Sequence, residues 1–198
     1  MYKICENGIF KSIQGEGRLA GKSAVFIRFF GCNKQPKCFF CDENESKFSI
    51  YKKEEILKRL KELLPFSMVV LTGGEPAMQD HLEELVDTLH KEKFYVAIET
   101  NGILPIPGNI DWITCSPKED KIHASIREVG EFKFLVDDTP EDELLLKIRR
   151  IVQNAAYKEI SLQALSNEKK YIEKALKVIE KNPEFRLSIQ VHKLIGVM

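Results

Sequence analysis

The chain has 198 residues, of which 43% are hydrophobic and 30% are charged, and its 30 Lys and Arg balance 30 Asp and Glu. This composition is typical of one globular domain, and a zero net charge without a long basic run argues against nucleic acid as a partner. No apolar run approaches the ~20 residues that span a bilayer, and the N-terminus MYKICENGIF lacks the apolar core of a signal peptide. We therefore expect a cytoplasmic protein with no membrane partner.

Short apolar runs alternate with amphipathic segments from about residue 23 onward. Seven runs are predicted as strands: SAVFIRFFG, SMVVLTGG, YVAIETNG, DWITCSP, EFKFLV, EISLQAL and RLSIQVHKLIGV. Four helices are predicted among them, one of which carries an apolar stripe of Leu82, Leu85, Val86 and Leu89. Strands that alternate with helices indicate parallel βαβ units, and these are too few for an eight-fold barrel. We predict an α/β fold in which residues 1–198 form a single domain, an incomplete parallel βα barrel.

Unusual polar residues follow the first four predicted strands. They are GC after the first strand, TGGEP after the second, ETNG after the third and SPK after the fourth. In parallel α/β folds, ligands bind at the carboxyl ends of the strands. The four loops therefore predict one site on a shared rim.

Three of the five cysteines lie close together, with Cys32, Cys38 and Cys41 in the pattern C-x5-C-x2-C. Such clustering in an intracellular chain favours metal binding over disulfides. One interpretation is a structural zinc site, completed by Cys5, Cys115 or a histidine. The other is a [4Fe–4S] cluster with one iron free of protein ligands, since electron-transfer clusters usually have four cysteines. An open iron can activate a small molecule, so three thiolates favour catalysis, and Cys5 and Cys115 are then expected to be buried apolar residues.

The cysteine loop and the TGGEP of residues 72–76 together resemble the radical S-adenosylmethionine (radical SAM) superfamily. The usual spacing there is C-x3-C-x2-C, so this loop is longer by two residues. The resemblance implies a [4Fe–4S] cluster on Cys32, Cys38 and Cys41, with S-adenosylmethionine on the open iron. It also implies an electron donor such as flavodoxin or ferredoxin.

FKSIQGEG at residues 10–17, Arg28, ETNG, SPK and the terminal QVHK resemble the 7-carboxy-7-deazaguanine synthase family. Members convert 6-carboxy-5,6,7,8-tetrahydropterin into 7-carboxy-7-deazaguanine with loss of ammonia, on the route to deazapurine nucleosides such as queuosine and archaeosine. The resemblance further implies a homodimer and a requirement for magnesium. By matching position, the substrate residues are Ile13, Gln14, Gly15, Thr72 and His192. Those around S-adenosylmethionine are Glu99, Asn101, Ser116, Pro117 and Lys118.

The chemistry of individual residues extends these two sets. Arg28 is costly in an apolar strand unless it is paired, and strand alternation places it between Phe26 and Phe30, as a clamp for a carboxylate. Gln14 and Glu16 can bind the amidine-like edge of a pterin. Gly73 and Gly74 permit close backbone approach to a ligand, and we expect Gly74, Glu75 and Gln163 to contact the cofactor. Each motif taken alone is also compatible with an ordinary turn or an internal ion pair.

The last strand alternates polar and apolar residues, which predicts an inward polar face that includes His192. After the third cysteine, the family has Cys-Asp-Thr or Cys-Asp-Ser, whose hydroxyl ligates magnesium, whereas this chain has Cys41-Asp42-Glu43. We predict that Glu43 replaces the hydroxyl; the alternative is that Glu43 faces solvent.

Two rival functions share some of these features. A glycyl-radical-enzyme activase has the cluster and GGEP but acts on a protein, whereas QGEG and Arg28 favour a small carboxylate substrate. A non-catalytic zinc or iron–sulfur module, such as an electron carrier, would bind the metal without cleaving S-adenosylmethionine.

Overall fold

A single curved sheet dominates the computed structural model, which describes residues 1–41 and 47–197. Within these residues the sheet has nine strands, in the order β3-β1-β2-β4-β5-β6-β7-β8-β9. The strands are β1 (Tyr2–Ile13), β2 (Ser23–Phe29), β3 (Phe48–Tyr51), β4 (Met68–Gly73), β5 (Tyr95–Thr100), β6 (Trp112–Cys115), β7 (Glu128–Val136), β8 (Ala156–Ala164) and β9 (Phe185–Ser188). The α-helices are α1 (Lys53–Glu62), α2 (Leu82–Lys91), α3 (Glu141–Val152), α4 (Lys169–Lys181) and α5 (Val191–Ile195).

The strands β2 and β4 to β9 pair in parallel, and each overlaps one of the seven predicted runs. The order ends at β3 on one side and β9 on the other, so the sheet stays open. This confirms the predicted α/β fold and the incomplete barrel.

Helices cover the convex face of the sheet, where two apolar cores form. Ile27, Leu71 and Ile98 pack there with residues of α1 and α2, including the predicted stripe of α2. Phe132 and Leu162 lie in a second core with α3 and α4. Alternate residues of the same strands point to the concave face, which is therefore available for a ligand. Within the described ranges, no helix has both the length and the apolar character needed to cross a membrane.

Two strands were missed by the sequence analysis. β1 pairs antiparallel with both β2 and β3, and its register with β2 shifts between Ile4 and Ile9. Asn7 adopts a left-handed conformation in this bulge. The bulge interrupts the period of two that strand prediction requires. β3 has only four residues, mostly exposed, and so short a run is not distinguished from a loop by its pattern.

The last predicted strand is too long. β9 ends at Ser188, and α5 follows from Val191 to Ile195. The Gln190 amide donates to the Asn167 side chain at 2.8 Å, and the Val191 amide donates to the Gly15 carbonyl at 2.9 Å. These bonds direct the chain across the barrel opening, so His192 lies on a helix and not on a strand.

Candidate active site

A cavity of about 310 Å³ opens at the carboxyl ends of the strands. All four predicted rim loops contribute to its wall, as the sequence analysis anticipated. The predicted site residues that line it are Ile13, Gln14, Gly15, Glu16, Arg28, Cys32, Cys38, Cys41, Thr72, Gly74, Glu99, Asn101, Ser116, Lys118, Gln163 and His192. Glu75 and Pro117 do not line it. Glu43 lies outside the described residues.

One wall of the cavity, here called the cluster wall, is formed by Cys32, Cys38, Cys41, Gly73 and Gly74. The Cys41 amide donates to the Cys38 carbonyl at 3.0 Å, and the Lys34 amide lies 3.5 Å from Cys32 Sγ. Burial raises the pKa of Cys32. Among the residues that the structure describes, no group of three or more His, Cys, Asp or Glu has the arrangement of a metal-ion site.

The remaining cysteines lie away from this wall. Cys5 and Cys115 are buried and do not line the cavity. Burial raises the pKa of Cys115 to about 12, so its thiol stays protonated. Neither residue is placed to complete a four-ligand zinc site with the three clustered cysteines.

Glycines bring the TGGEP loop against the cysteine loop. The Gly74 amide donates to the Phe29 carbonyl at 3.0 Å, and the Glu75 amide donates to the Gly31 carbonyl at 2.8 Å. A side-chain carbon at Gly74 would collide with the Gly31 carbonyl oxygen. Gly73 has a φ of 114°, a conformation that favours glycine. The two glycines therefore let the backbone of the TGGEP loop pack directly on the backbone of the cysteine loop. They also line the cavity, where close approach of a ligand was predicted.

Glu75 lies behind the cluster wall and is fully buried. Its carboxylate accepts hydrogen bonds from Thr100 Oγ1 at 2.7 Å, the Asn101 amide at 2.7 Å and the Ala77 amide at 3.1 Å. Burial raises its pKa, although these bonds oppose the shift. Its oxygens hold the loops after β4 and β5 together, and because Glu75 does not line the cavity, its direct contact with the cofactor stays a prediction. Asn101 Nδ2 in turn donates to Asn33 Oδ1 at 2.7 Å, which ties β5 to the cysteine loop.

Arg28 projects into the cavity from β2. Its guanidinium lies 5.2 Å from the centre of the Phe10 ring, which stacks on Phe26 at 5.3 Å. The predicted flank by Phe30 is wrong, since Phe30 stacks on Phe48 instead, at 4.6 Å. The missed strand β1 supplies the aromatic surface that the sequence analysis assigned to Phe30.

A second wall, here called the acidic wall, consists of Gln14, Glu16, Thr72, Glu99 and Lys133. Gln14 Nε2 donates to Glu99 Oε1 at 3.0 Å, and Thr72 Oγ1 donates to Glu99 Oε2 at 2.9 Å. Lys133 forms an ion pair with Glu16 and lies 4.0 Å from Glu99 Oε1. Burial alone would raise the pKa of Glu16, but the charge and hydrogen bond of Lys133 lower it to about 2.

Lys133 was missed by the sequence analysis. Lys133 is a charged residue within the apolar run EFKFLV. The same signal, a charge in an apolar strand, identified Arg28. The same argument, applied to β7, would have found it.

The predicted C-terminal and rim residues complete the cavity. His192 packs against Gly15, where a side chain would overlap the imidazole ring. Gln163 Oε1 accepts a hydrogen bond from Ser188 Oγ at 2.6 Å. Lys118 Nζ donates to Ser116 Oγ at 2.7 Å, and burial, together with the charge of Lys133, lowers the Lys118 pKa.

Comparison with known proteins agrees with this geometry. Residues 26–195 match the Radical SAM superfamily. The 7-carboxy-7-deazaguanine synthase of Bacteroides thetaiotaomicron is 37% identical over 193 residues, which covers 96% of this chain and 97% of that protein. The chain belongs to the 7-carboxy-7-deazaguanine synthase family. The synthase of Aquifex aeolicus is 36% identical, with 96% of this chain and 92% of that protein covered.

The solved structures include a neighbour from the same family. The crystal structure of QueE from Escherichia coli superposes with a TM-score of 0.80 and 26% identity, and the match covers 96% of this chain and 94% of that one. As a radical SAM protein, the chain is an enzyme that uses a [4Fe–4S] cluster and S-adenosylmethionine.

The cluster wall fits these cofactors. Three thiols open onto one cavity, and a backbone N–H already points at one sulfur, as is common for cluster ligands. Cys32, Cys38 and Cys41 would hold the cluster. When bound, the cluster and S-adenosylmethionine would supply one-electron, hydrogen-abstracting chemistry, and this chain contributes the cavity onto which the three thiols open.

Proposed function

We propose that this protein converts 6-carboxy-5,6,7,8-tetrahydropterin into 7-carboxy-7-deazaguanine and ammonia. The observation that carries the proposal is the pairing, within one cavity, of three cluster cysteines with Arg28 and an acidic wall. An acid-bearing pterin needs a cation for its carboxylate and acceptors for its amino-pyrimidinone ring. Both types of group lie here beside the place where hydrogen abstraction would be initiated.

Arg28 would bind the substrate carboxylate. A guanidinium offers two parallel N–H donors to a carboxylate, and its position over Phe10 restricts its orientation. The neighbouring Phe26 would pack against the flat ring of the ligand.

Glu99 moves, in this proposal, from the cofactor set to the substrate set. Its carboxylate is bonded to Gln14 and Thr72, both of which the family resemblance assigns to the substrate. Asn101, Ser116 and Lys118 stay as the residues that would bind S-adenosylmethionine, because hydroxyl, amide and ammonium groups suit its ribose and carboxylate.

Three further features are proposed on the sequence alone. Magnesium would assist the reaction with Glu43 as its ligand, the active form would be a homodimer, and the electron would come from a flavodoxin or ferredoxin in the cytoplasm. We also propose that residues 1–198 form a single domain.

The test is anaerobic turnover of the reconstituted protein with the carboxy-tetrahydropterin, S-adenosylmethionine, dithionite and magnesium, followed by mass spectrometry. We expect equal amounts of 7-carboxy-7-deazaguanine and ammonia. Cleavage of S-adenosylmethionine without pterin turnover would favour a glycyl-radical-enzyme activase. Absence of cleavage would favour an electron carrier.

The role of magnesium is tested in the same assay. Turnover should fall in excess chelator, and Glu43→Ala should weaken the dependence on the divalent ion. Full activity in chelator, with Glu43→Ala equal to the parent, would remove both the metal and its ligand from the proposal.

A further inference from the structure

Lys133 occupies the centre of the acidic wall. It lies in β7 between Phe132 and Phe134, which point to the convex core, so its own side chain enters the cavity and is 8% exposed. A lysine in such a place is strongly destabilising unless other charges compensate it. The charged groups around Lys133 therefore explain why a buried lysine is tolerated at this position.

Two carboxylates share this one ammonium. Glu16, from the turn after β1, pairs with Lys133 directly, and Glu99, from β5, lies 4.0 Å away. Their remaining bonds come from neutral donors: Gln190 Nε2 reaches Glu16 at 2.8 Å, and Gln14 and Thr72 reach Glu99. Two negative groups and one positive group leave an excess of one negative charge on the acidic wall.

The nearby charges of Glu131 and Lys118 are opposite in sign and leave this excess unchanged, and the charge of Arg28, which lines the same cavity, is assigned to the carboxylate of the ligand. Glu131 lies two residues away on the same strand, where it accepts bonds from Ser161 and the Arg18 amide. Lys118, from the loop after β6, contributes a positive charge, and its pKa is lowered by burial and by Lys133. The ionised Glu16–Lys133 pair is favoured on both sides, because the pKa of Glu16 is lowered and that of Lys133 is raised by their mutual attraction, in spite of burial.

An excess carboxylate in a cavity requires hydrogen-bond donors from its ligand. The amino-pyrimidinone edge of a pterin presents two adjacent N–H donors, which match the two oxygens of a carboxylate. A protonated carboxyl would lose one of these acceptors. We infer that Lys133 is a positioning residue that holds the carboxylates of Glu16 and Glu99 side by side, so that this wall selects the donor edge of an amino-pyrimidinone ring. This inference rests on the proposed function. It attributes recognition of the ligand's donor edge to the balance of charge among Glu16, Glu99 and Lys133, and not to a single contact.

Removal of Lys133 should make ligand binding dependent on pH. In Lys133→Met, two neighbouring carboxylates cannot both ionise easily, so the pKa of one rises and the ligand must displace its proton. The affinity of Lys133→Met for the ligand, relative to that of the parent, should then improve as the pH rises, by at most about tenfold per pH unit. Lys133→Arg keeps the charge and should keep the pH profile of the parent. The readout is the difference in affinity between each variant and the parent at the same pH, so any pH dependence that all variants share cancels.

The charge balance also predicts a rescue. Glu16→Gln leaves Lys133 paired with Glu99 and removes the excess charge, so binding should weaken. Adding Lys133→Met to Glu16→Gln restores one unpaired carboxylate, and the double variant should bind about tenfold more tightly than Glu16→Gln alone, the equivalent of one pKa unit. If Lys133 had only a structural role, the double variant would bind the ligand more weakly than Glu16→Gln.

The probe is pterin-6-carboxylate, measured by equilibrium dialysis against holoenzyme with S-adenosylmethionine and no reductant. Lumazine-6-carboxylate, which has an oxo group in place of the 2-amino group, should bind the parent at least about tenfold more weakly, because it lacks the paired donor. Lys133→Met should lose this discrimination at low pH.

The two hypotheses fail differently. If the parent binds neither pteridine and turns over no pterin, the proposed function and this inference both fall. If the parent binds and turns over pterin, while Lys133→Met has the parent's pH profile or the double variant binds no better than Glu16→Gln, only the role of Lys133 is overturned. Should Lys133→Met fold poorly, Lys133→Gln, which also removes the charge but keeps a polar side chain, replaces it in both the pH test and the double variant.

Discussion

The two walls of the cavity are held in place by different forces. On the cluster wall, backbone groups bond to backbone groups, as in the Gly74 amide to the Phe29 carbonyl at 3.0 Å. On the acidic wall, charged and polar side chains from β4, β5, β7 and the turn after β1 bond to one another. A substitution on the cluster wall should therefore act through steric fit or ligand loss, whereas one on the acidic wall should act through charge and so depend on pH.

The largest effect should come from the cysteines of the cluster wall. Cys32→Ala, Cys38→Ala or Cys41→Ala should each abolish the [4Fe–4S] cluster, because each removes one of three protein ligands. Iron and sulfide analysis of anaerobically reconstituted protein measures the result. Cys5→Ala and Cys115→Ala are the controls, since both residues are buried away from the cavity. Stoichiometric zinc without sulfide in the parent would contradict the assignment.

Gly74→Ala should cause the next largest loss. The new carbon meets the Gly31 carbonyl oxygen, a backbone atom that cannot rotate away. Such overpacking costs roughly 1–3 kcal/mol of unfolding free energy, and here it also separates the loop from the cysteines. Gly108→Ala is the control, because nothing lies within 4 Å of the position that a new side-chain carbon would take there, and its backbone is not left-handed. The free energy of unfolding, measured in urea, and the rate of S-adenosylmethionine cleavage should both fall in Gly74→Ala and stay unchanged in Gly108→Ala. Equal values in the two variants would refute the close contact.

Arg28→Lys separates substrate binding from cluster binding, because it should weaken the binding of the substrate and leave the cluster in place. The variant keeps a positive charge but loses the paired N–H donors, so pterin-6-carboxylate should bind more weakly by roughly 1–3 kcal/mol. Uncoupled cleavage of S-adenosylmethionine should persist. Arg59→Lys, on an exposed ion pair with Glu62, serves as the control. Unchanged affinity in Arg28→Lys would remove this residue from the substrate site.

The smallest effect is a difference in the sign of pH dependence between two buried glutamates. The pKa of Glu16 is lowered from 4.5 to about 2, so its contribution to stability is present above pH 4.5 and is lost as the pH falls toward 2. The pKa of Glu75 is raised from 4.5 by burial, so its contribution is present below 4.5 and is lost as the pH rises through the folded-state pKa.

Urea unfolding of the cluster-free protein at a series of pH values measures this difference. Glu16→Gln should flatten the loss of stability between pH 4.5 and about 2. Glu75→Gln should flatten the decline above 4.5. Identical pH profiles for the two variants would show that the walls do not differ in this way.

Prediction from sequence was most successful where the information is local. The seven parallel strands follow from short apolar runs, and the rim loops follow from where those runs end. Cys32 and the glycines lie within a few residues of a strand end, and Cys38 and Cys41 follow on the same loop as Cys32, so their placement required no knowledge of distant contacts. Sixteen of the predicted site residues consequently line one cavity.

Only the tertiary structure decided the features that depend on partners far along the chain. Lys133 and Glu16 are 117 residues apart, and neither residue by itself indicates the other. β1 brings Phe10 to Arg28 through a bulged register, and the path after Ser188 turns into α5 because Asn167 and Gly15 hold it. Local pattern determines which face of a strand a residue occupies, but which charges meet on that face depends on how the sheet curves and on which strands become neighbours.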